Sequence, residues 1–207
     1  MRGNIFTEEQ RDALQEIANL AMGQAAARLA RLLDAFIELS VPRVCVTGVN
    51  EAAQTLREMT GFDQSVTAVR QSFRSDFKGE AFVICRSRAV GSLWALVNDP
   101  HIYLAYQTIS QAELILDVAN VLTGAYVSCF LVQLNRAPIF SPPDLLGENI
   151  AFDDFFRADL LAWRVAVLLE VNFALENHCF RAHLVMLMSE DSISRLHGAL
   201  NALLVSV

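Results

Sequence analysis

The sequence predicts a single α+β domain with an internal pseudo-twofold repeat, a mixed β-sheet and two long helices that carry the sites. Three observations predict it. Residues 12–24, DALQEIANLAMGQ, and residues 113–125, ELILDVANVLTGA, match at an offset of 101. That offset sets Asn19 on Asn120, Gly23 on Gly124, Ala18 on Ala119, Ile17 on Val118, Glu16 on Asp117 and Pro42 on Pro143. A repeat of about half the chain is too long for a solenoid period. Apolar residues make up 54% of the 207 and charged residues only 19%, so much of the chain belongs in a core. No proline- or glycine-rich linker separates the halves, about 7–100 and about 108–207, so residues 1–207 are expected to form one unit.

The elements follow in order. Thr7 opens TEEQ, a capping box with Gln10, and starts a helix expected to reach about Ala35. Leu14, Ile17, Ala21, Ala25, Leu29 and Leu32 step by threes and fours along its buried stripe. A strand is expected at about 43–49 and a short helix at about 51–59. Two strands, about 65–73 and 80–85, flank RSDFKG, where Gly79 suits a turn. A helix at about 88–97 ends the first half.

The second half repeats this order. Ser110 caps a helix running to about Asn135, with Glu113 in the capping-box position. IFSPP gives a short strand and a stop, and a less regular helix is expected within 144–161. RVAVLLEVNFAL and CFRAHLVMLM read as two strands, and SEDSISRLHGALNALL as a closing helix.

Composition excludes several classes. The net charge is −7 and no Lys/Arg cluster occurs, which argues against nucleic acid. No run of 18 uninterrupted apolar residues occurs, so no transmembrane helix is expected. The N-terminus lacks an apolar signal core. Cys45, Cys85, Cys129 and Cys179 are widely spaced and read as reduced, mostly buried thiols of a cytoplasmic protein. His101, His178, His183 and His197 lack ligand spacing, and neither a G-x-S-x-G elbow nor a phosphate-binding glycine loop is present. FDDFFRADLLAW, residues 152–163, reads as a core helix with solvated acids and, secondarily, as a docking patch.

The polar residues of the first helix are more informative. At about 100° per residue, Asp12, Glu16, Asn19 and Gly23 share a narrow sector opposite Leu14 and Ala21. A glutamate and an asparagine on a solvated face need no function by themselves. Solubility does not, however, require the same amide register, with glycine four residues on and proline 23 on, in both halves. Glycine inside a helix costs about 1 kcal/mol against alanine. Close approach of another surface would account for it.

This arrangement resembles the CheC/CheX/FliY family of chemotaxis phosphatases. Their signature is Asp or Ser, three residues, Glu, two residues, Asn, then 22 residues and Pro. Asp12, Glu16, Asn19 and Pro42 match it in full, while Glu113, Asp117, Asn120 and Pro143 match at Asn and Pro only. The resemblance covers nearly the whole chain. It implies hydrolysis of the aspartyl phosphate of a CheY-type response regulator. The partner's own Mg²⁺ and lysine would surround the phosphoryl group, so no cofactor is expected on this chain. Asn19 would orient the attacking water and Glu16 would dock on the partner's lysine, with Asn120 and Asp117 as the second, weaker pair. Asp117 is one methylene shorter than glutamate, and Glu113 is also placed to serve the cap with Ser110. The resemblance leaves two other roles open. One is a non-catalytic regulator-binding module of the flagellar-switch kind. The other is an adaptor acting through a CheD-type deamidase.

Overall fold

The computed structural model describes residues 6–62, 65–97, 110–152, 154, 165–175 and 180–205. The first helix, α1, spans Glu8–Leu33. Its start is fixed by the expected capping box: the Gln10 N–H donates to Thr7 Oγ1 at 3.2 Å, and the Thr7 N–H donates to Gln10 Oε1 at 2.9 Å. Two of the four orphan donors at the helix start are thereby satisfied. It ends where Asp34 turns left-handed, at φ 48°. Strands β1 (Ile37–Leu39) and β2 (Arg43–Gly48) follow, then helix α2 (Val49–Thr60). Strands β3 (Ser65–Arg74) and β4 (Lys78–Arg86) form a hairpin, and helix α3 (Ser87–Val97) closes the half. The second half holds helix α4 (Gln111–Gln133), strands β5 (Ile139–Phe140), β6 (Asp144–Ala151), β7 (Val165–Leu175) and β8 (Arg181–Met188), and a closing helix α5 (Glu190–Val205).

The eight strands form one sheet in the order β1-β7-β8-β4-β3-β5, with β2 also on β7 and β6 also on β3. Neither half closes its own sheet. Leu39 of β1 pairs with Phe173 of β7, and Phe140 of β5 pairs with Phe73 of β3. Likewise Arg43 of β2 faces Glu170 of β7, while Asp144 of β6 faces Arg70 of β3. Each half thus donates its edge strands to the other's hairpin. Both crossings carry an ion pair with the signs exchanged. Arg43 and Glu170 lie 2.8 Å apart, and so do Arg70 and Asp144.

One face of the sheet supports the larger core, where α1 and α4 pack on each other and on the strands. Leu14, Ala18, Ala21 and Ala25 of α1 are buried there with Leu114, Val118, Ala119 and Leu122 of α4. α4 is long and apolar enough, by length and composition, to cross a membrane, with a mean hydropathy of 1.7. In this fold those apolar residues are spent on the core. The opposite face packs α2 through Leu56 against Phe62, Val66, Phe82, Ile84, Phe152 and Val185.

Four expectations change. Residues 144–151 form strand β6 rather than part of a helix, because they satisfy the backbone groups along the outer edge of β3. A helix is expected within 144–161, and Phe152 and Asp154, the described residues beyond β6, are helical; the rest of that segment lies outside the described residues. Strand β1, three residues long, was too short to show in the sequence pattern. Every described strand pairing is antiparallel, so the expected mixed sheet is not mixed; short hairpins and exchanged edge strands need no parallel crossover. Gly79 is a strand residue instead of a turn residue. A Cβ there would come within 2.7 Å of the Leu187 carbonyl oxygen and meet the Phe73 ring.

The thiols also differ from expectation. Of the three described cysteines, all free, only Cys85 is fully buried, and burial pushes it up to about 12. Cys45 and Cys129 are half-buried, and Cys179 and the histidines His101 and His178 lie outside the described residues. His183 is buried on β8, where Nδ1 lies 2.5 Å from Glu170 Oε1. Arg43 Nε donates to Glu170 Oε2 at 2.8 Å. Burial of Glu170 acts to raise its carboxyl, but the hydrogen bonds and charges of His183 and Arg43 outweigh it and hold it below the usual carboxylate range. A carboxyl depressed on folding stabilises above its unfolded pKa, and that contribution is lost as pH falls through the folded value. Glu170→Gln is therefore expected to cost about 3 kcal/mol at pH 7. It should also flatten the loss of stability below the ordinary glutamate range. Urea unfolding of both chains across pH 3–7 checks this.

Candidate functional site

The burial of α1 fixes what its other face presents. With Leu14, Ile17, Ala18 and Ala21 inward, Asp12, Glu16 and Gly23 are exposed and Asn19 is half-buried beside them. The expected outward stripe is present. Among the described residues, neither Glu16 nor Asn19 has a hydrogen-bonding or ionic partner within the chain. The Asn19 carboxamide therefore keeps two donors and its acceptor oxygen for another molecule.

Two features of this face were not legible in the sequence. Gln15 Nε2 donates to the Pro42 carbonyl at 2.8 Å, which ties the segment after β1 to the flank of α1. Pro42 is buried, and Val41 beside it is 73% exposed. Leu20, one turn after Glu16, is 46% exposed. The polar stripe is thus accompanied by apolar side chains that a partner could cover. The offset marked Pro42, but a contact 27 residues away leaves no periodic trace.

The corresponding stripe on α4 differs. Asp117 and Asn120 are both exposed, at the register of Glu16 and Asn19. Glu113 is committed to the cap: its Oε2 accepts from the Ser110 N–H and hydroxyl, each at 2.8 Å. The backbone hydrogen bond, then the hydroxyl, holds its carboxyl below the usual range. Asn120 is also held. Gln71 Nε2 on β3 donates to Asn120 Oδ1 at 3.0 Å and to the Ser141 carbonyl at 2.9 Å. Gln71 is 4% exposed, and its own Oε1 is buried without a partner.

Strand register shows which residue of β7 matches Gln71. Arg70 and Glu170 occupy matching places, each opposite its donated strand, so the next residues, Gln71 and Val171, correspond. Valine has no donor. The two asparagines share a register, but at this place β3 carries an amide and β7 does not.

Both helix glycines are spacious. A Cβ on Gly23 or Gly124 would meet no atom within 4 Å. Among the described residues, neither glycine is required by packing. Among the described residues, no group of three His, Cys, Asp or Glu is placed to hold a metal ion.

Known proteins resemble this chain both in the sequence around the α1 stripe and in the α+β scaffold that carries it. A family model described as the CheC-like family matches residues 9–46, the segment that holds Asp12, Glu16, Asn19 and Pro42. The chain is similar to the CheY-P phosphatase CheC of Bacillus subtilis (strain 168), at 25% identity over 210 residues, 96% of this chain and 97% of that protein. Its fold is similar to that of Thermotoga maritima FliY, with a TM-score of 0.71 and 18% identity over 95% of this chain and 98% of that one. It is also similar to the FliM middle domain of H. pylori, with a TM-score of 0.61 and 8% identity over 94% and 99% of the two chains. The chain is thus similar in sequence to CheC-like proteins, and its fold is similar to that of FliY and FliM.

Because no atom of the described residues fills the space at Gly23, Gly23→Ala should stabilise the free protein by about 0.5–1 kcal/mol. Thermal or urea unfolding measures it, and a destabilised variant would mean that the glycine serves the fold itself.

Proposed function

We propose that this chain hydrolyses the aspartyl phosphate of a phosphorylated CheY-type response regulator in the cytoplasm. The observation that carries the reading is the free Asn19 carboxamide on the exposed stripe of α1, one turn from Glu16 and beside the open space at Gly23. The similarity to a protein named as a CheY-P phosphatase supports it.

Phosphoryl transfer is governed by positioning and by stabilisation of spread negative charge. The regulator supplies the charge stabilisation around its own phosphoryl group. This chain supplies a placed water. Asn19 Oδ1 accepts a hydrogen bond from the water while the amide N–H groups remain available to a phosphoryl oxygen. The water is then held in line with the bond that breaks. Glu16 pairs with the regulator's lysine and sets the docking angle. A carboxylate near a phosphoryl group is repelled, so Glu16 is a docking residue and not the general base. Gly23 lets the partner's surface approach the helix backbone, while Leu20 and Val41 offer apolar contact at the rim. The rate enhancement required is modest. A ~100-fold gain corresponds to about 2.7 kcal/mol, which orientation alone can supply.

The second stripe supports a different role. With Asn120 Oδ1 already accepting from Gln71, Glu113 in the cap and a shorter acid at Asp117, α4 is better suited to hold a regulator than to hydrolyse it. Extended to both helices, this gives the rival reading, a binding module without catalysis.

Single-turnover phosphate release from a phosphorylated CheY-type regulator separates the two. Asn19→Ala is expected to slow hydrolysis ~100-fold with binding nearly unchanged. Asn120→Ala should cost clearly less. Equal rates for wild type and Asn19→Ala would leave the binding module. A larger loss from Asn120→Ala would move the working site to α4.

A further inference from the structure

Away from both helical stripes, where β4 and β8 end and α3 begins, lies a cavity of about 320 Å³. Arg86, Arg88, Arg181 and His183 line it, with Phe62 and Ala89 among its apolar walls. None of these residues belongs to α1 or α4. The strand register explains how two of the arginines meet. Cys85 pairs with Ala182, so Arg86 and Arg181 come next on the two strands and lie side by side. On their outer sides Arg86 pairs with Val66 and Arg181 with Ala174, neither of which offers a charge. Arg88, in the first turn of α3, supplies the third guanidinium.

Like charges facing each other across adjacent strands are destabilising. A carboxylate beside such a pair would relieve it, and this chain has 23 acidic residues against 16 basic ones. Yet among the described residues the guanidinium groups of Arg86, Arg88 and Arg181 have no ionic or hydrogen-bonding partner. The buried acid nearest along the sheet, Glu170, is already engaged by His183 and Arg43. Its contact with Nδ1 fixes the His183 ring, which is only 3% exposed and presents itself to the cavity from within the sheet.

We propose that this cavity binds a small phosphomonoester. Guanidinium forks match the paired oxygens of a phosphoryl group. Three of them relieve their mutual repulsion when a dianion sits between them. The opening turn of α3, which contributes Arg88 and Ala89 to the lining, adds the favourable end of a helix dipole. Phe62 and Ala89 give an apolar surface for the body of the ester. The volume lies at the small end of ligand pockets, which suits a small molecule.

Calorimetric titration of the full chain at constant ionic strength tests the assignment, with phenyl phosphate, inorganic phosphate and succinate as probes. Saturable binding at one site is expected, tightest for phenyl phosphate and weakest for succinate. Arg86→Gln and Arg181→Gln should each weaken phenyl phosphate at least tenfold while the melting temperature of the free chain stays level or rises. Arg88→Gln, at the start of an otherwise unchanged helix, should also weaken it and serves as the independent readout if a strand variant misfolds. Absence of saturable binding, or unchanged affinity in the arginine variants, overturns the site. Tightest binding by succinate overturns the phosphomonoester assignment.

Discussion

The exchange of edge strands between the two halves is the constraint on which the rest depends. β1 and β2 hydrogen-bond to β7, and β5 and β6 to β3, so each hairpin is completed by the other half. Unpaired strand edges are costly and prone to stray pairing. The exchange removes that cost only when both halves are present, which makes a duplicated sequence fold as one unit. It also fixes the helices. Each long helix precedes the strands its half donates, and the two pack together on one face of the sheet through alanine-rich stripes. The residues opposite those stripes then face outward. The outward stripe of Glu16 and Asn19 is a consequence of how the sheet is closed.

The same exchange makes the two sites unequal. The strand beneath α4 belongs to the first half and carries Gln71, while the matching residue in the second half is Val171. The donor that tethers Asn120 has no amide counterpart at the matching place on β7. The tether is itself incomplete, because Gln71 Oε1 is buried without a partner. A buried unpaired carbonyl costs about 1–3 kcal/mol. Its retention beside Asn120 is consistent with a helix that serves a different purpose from α1. In the same way Ser110 claims Glu113, leaving Asp117 as the exposed acid one turn before Asn120.

The sequence carried much of this. The offset of 101 located both asparagines, and helical spacing placed Asp12, Glu16, Asn19 and Gly23 on one outward stripe, because burial of alanine and leucine leaves a periodic record. The capping boxes at Thr7 and Ser110 were legible for the same local reason. Strand β6 was missed although the offset mapped it onto β2; DLLGENIA is poor in β-branched residues, and its pairing with β3 is long-range. The Gln71 tether was invisible because it joins residues 49 apart. Moreover, the hairpin strands repeat one residue out of step with the helices, so the offset does not set Gln71 on Val171. The arginine cavity joins β4, β8 and α3, and no local run of basic residues announces it.

The central claim is that a free amide beside a full-length glutamate makes one stripe catalytic. It is tested most directly by rebuilding that arrangement on the other helix. In a chain carrying Asn19→Ala, Asp117→Glu restores the longer acid and Gln71→Val removes the donor that holds Asn120. The account predicts that single-turnover phosphate release from a phosphorylated CheY-type regulator recovers at least ~10-fold over Asn19→Ala alone, about 1.4 kcal/mol of barrier. No recovery in a folded, regulator-binding variant would contradict it.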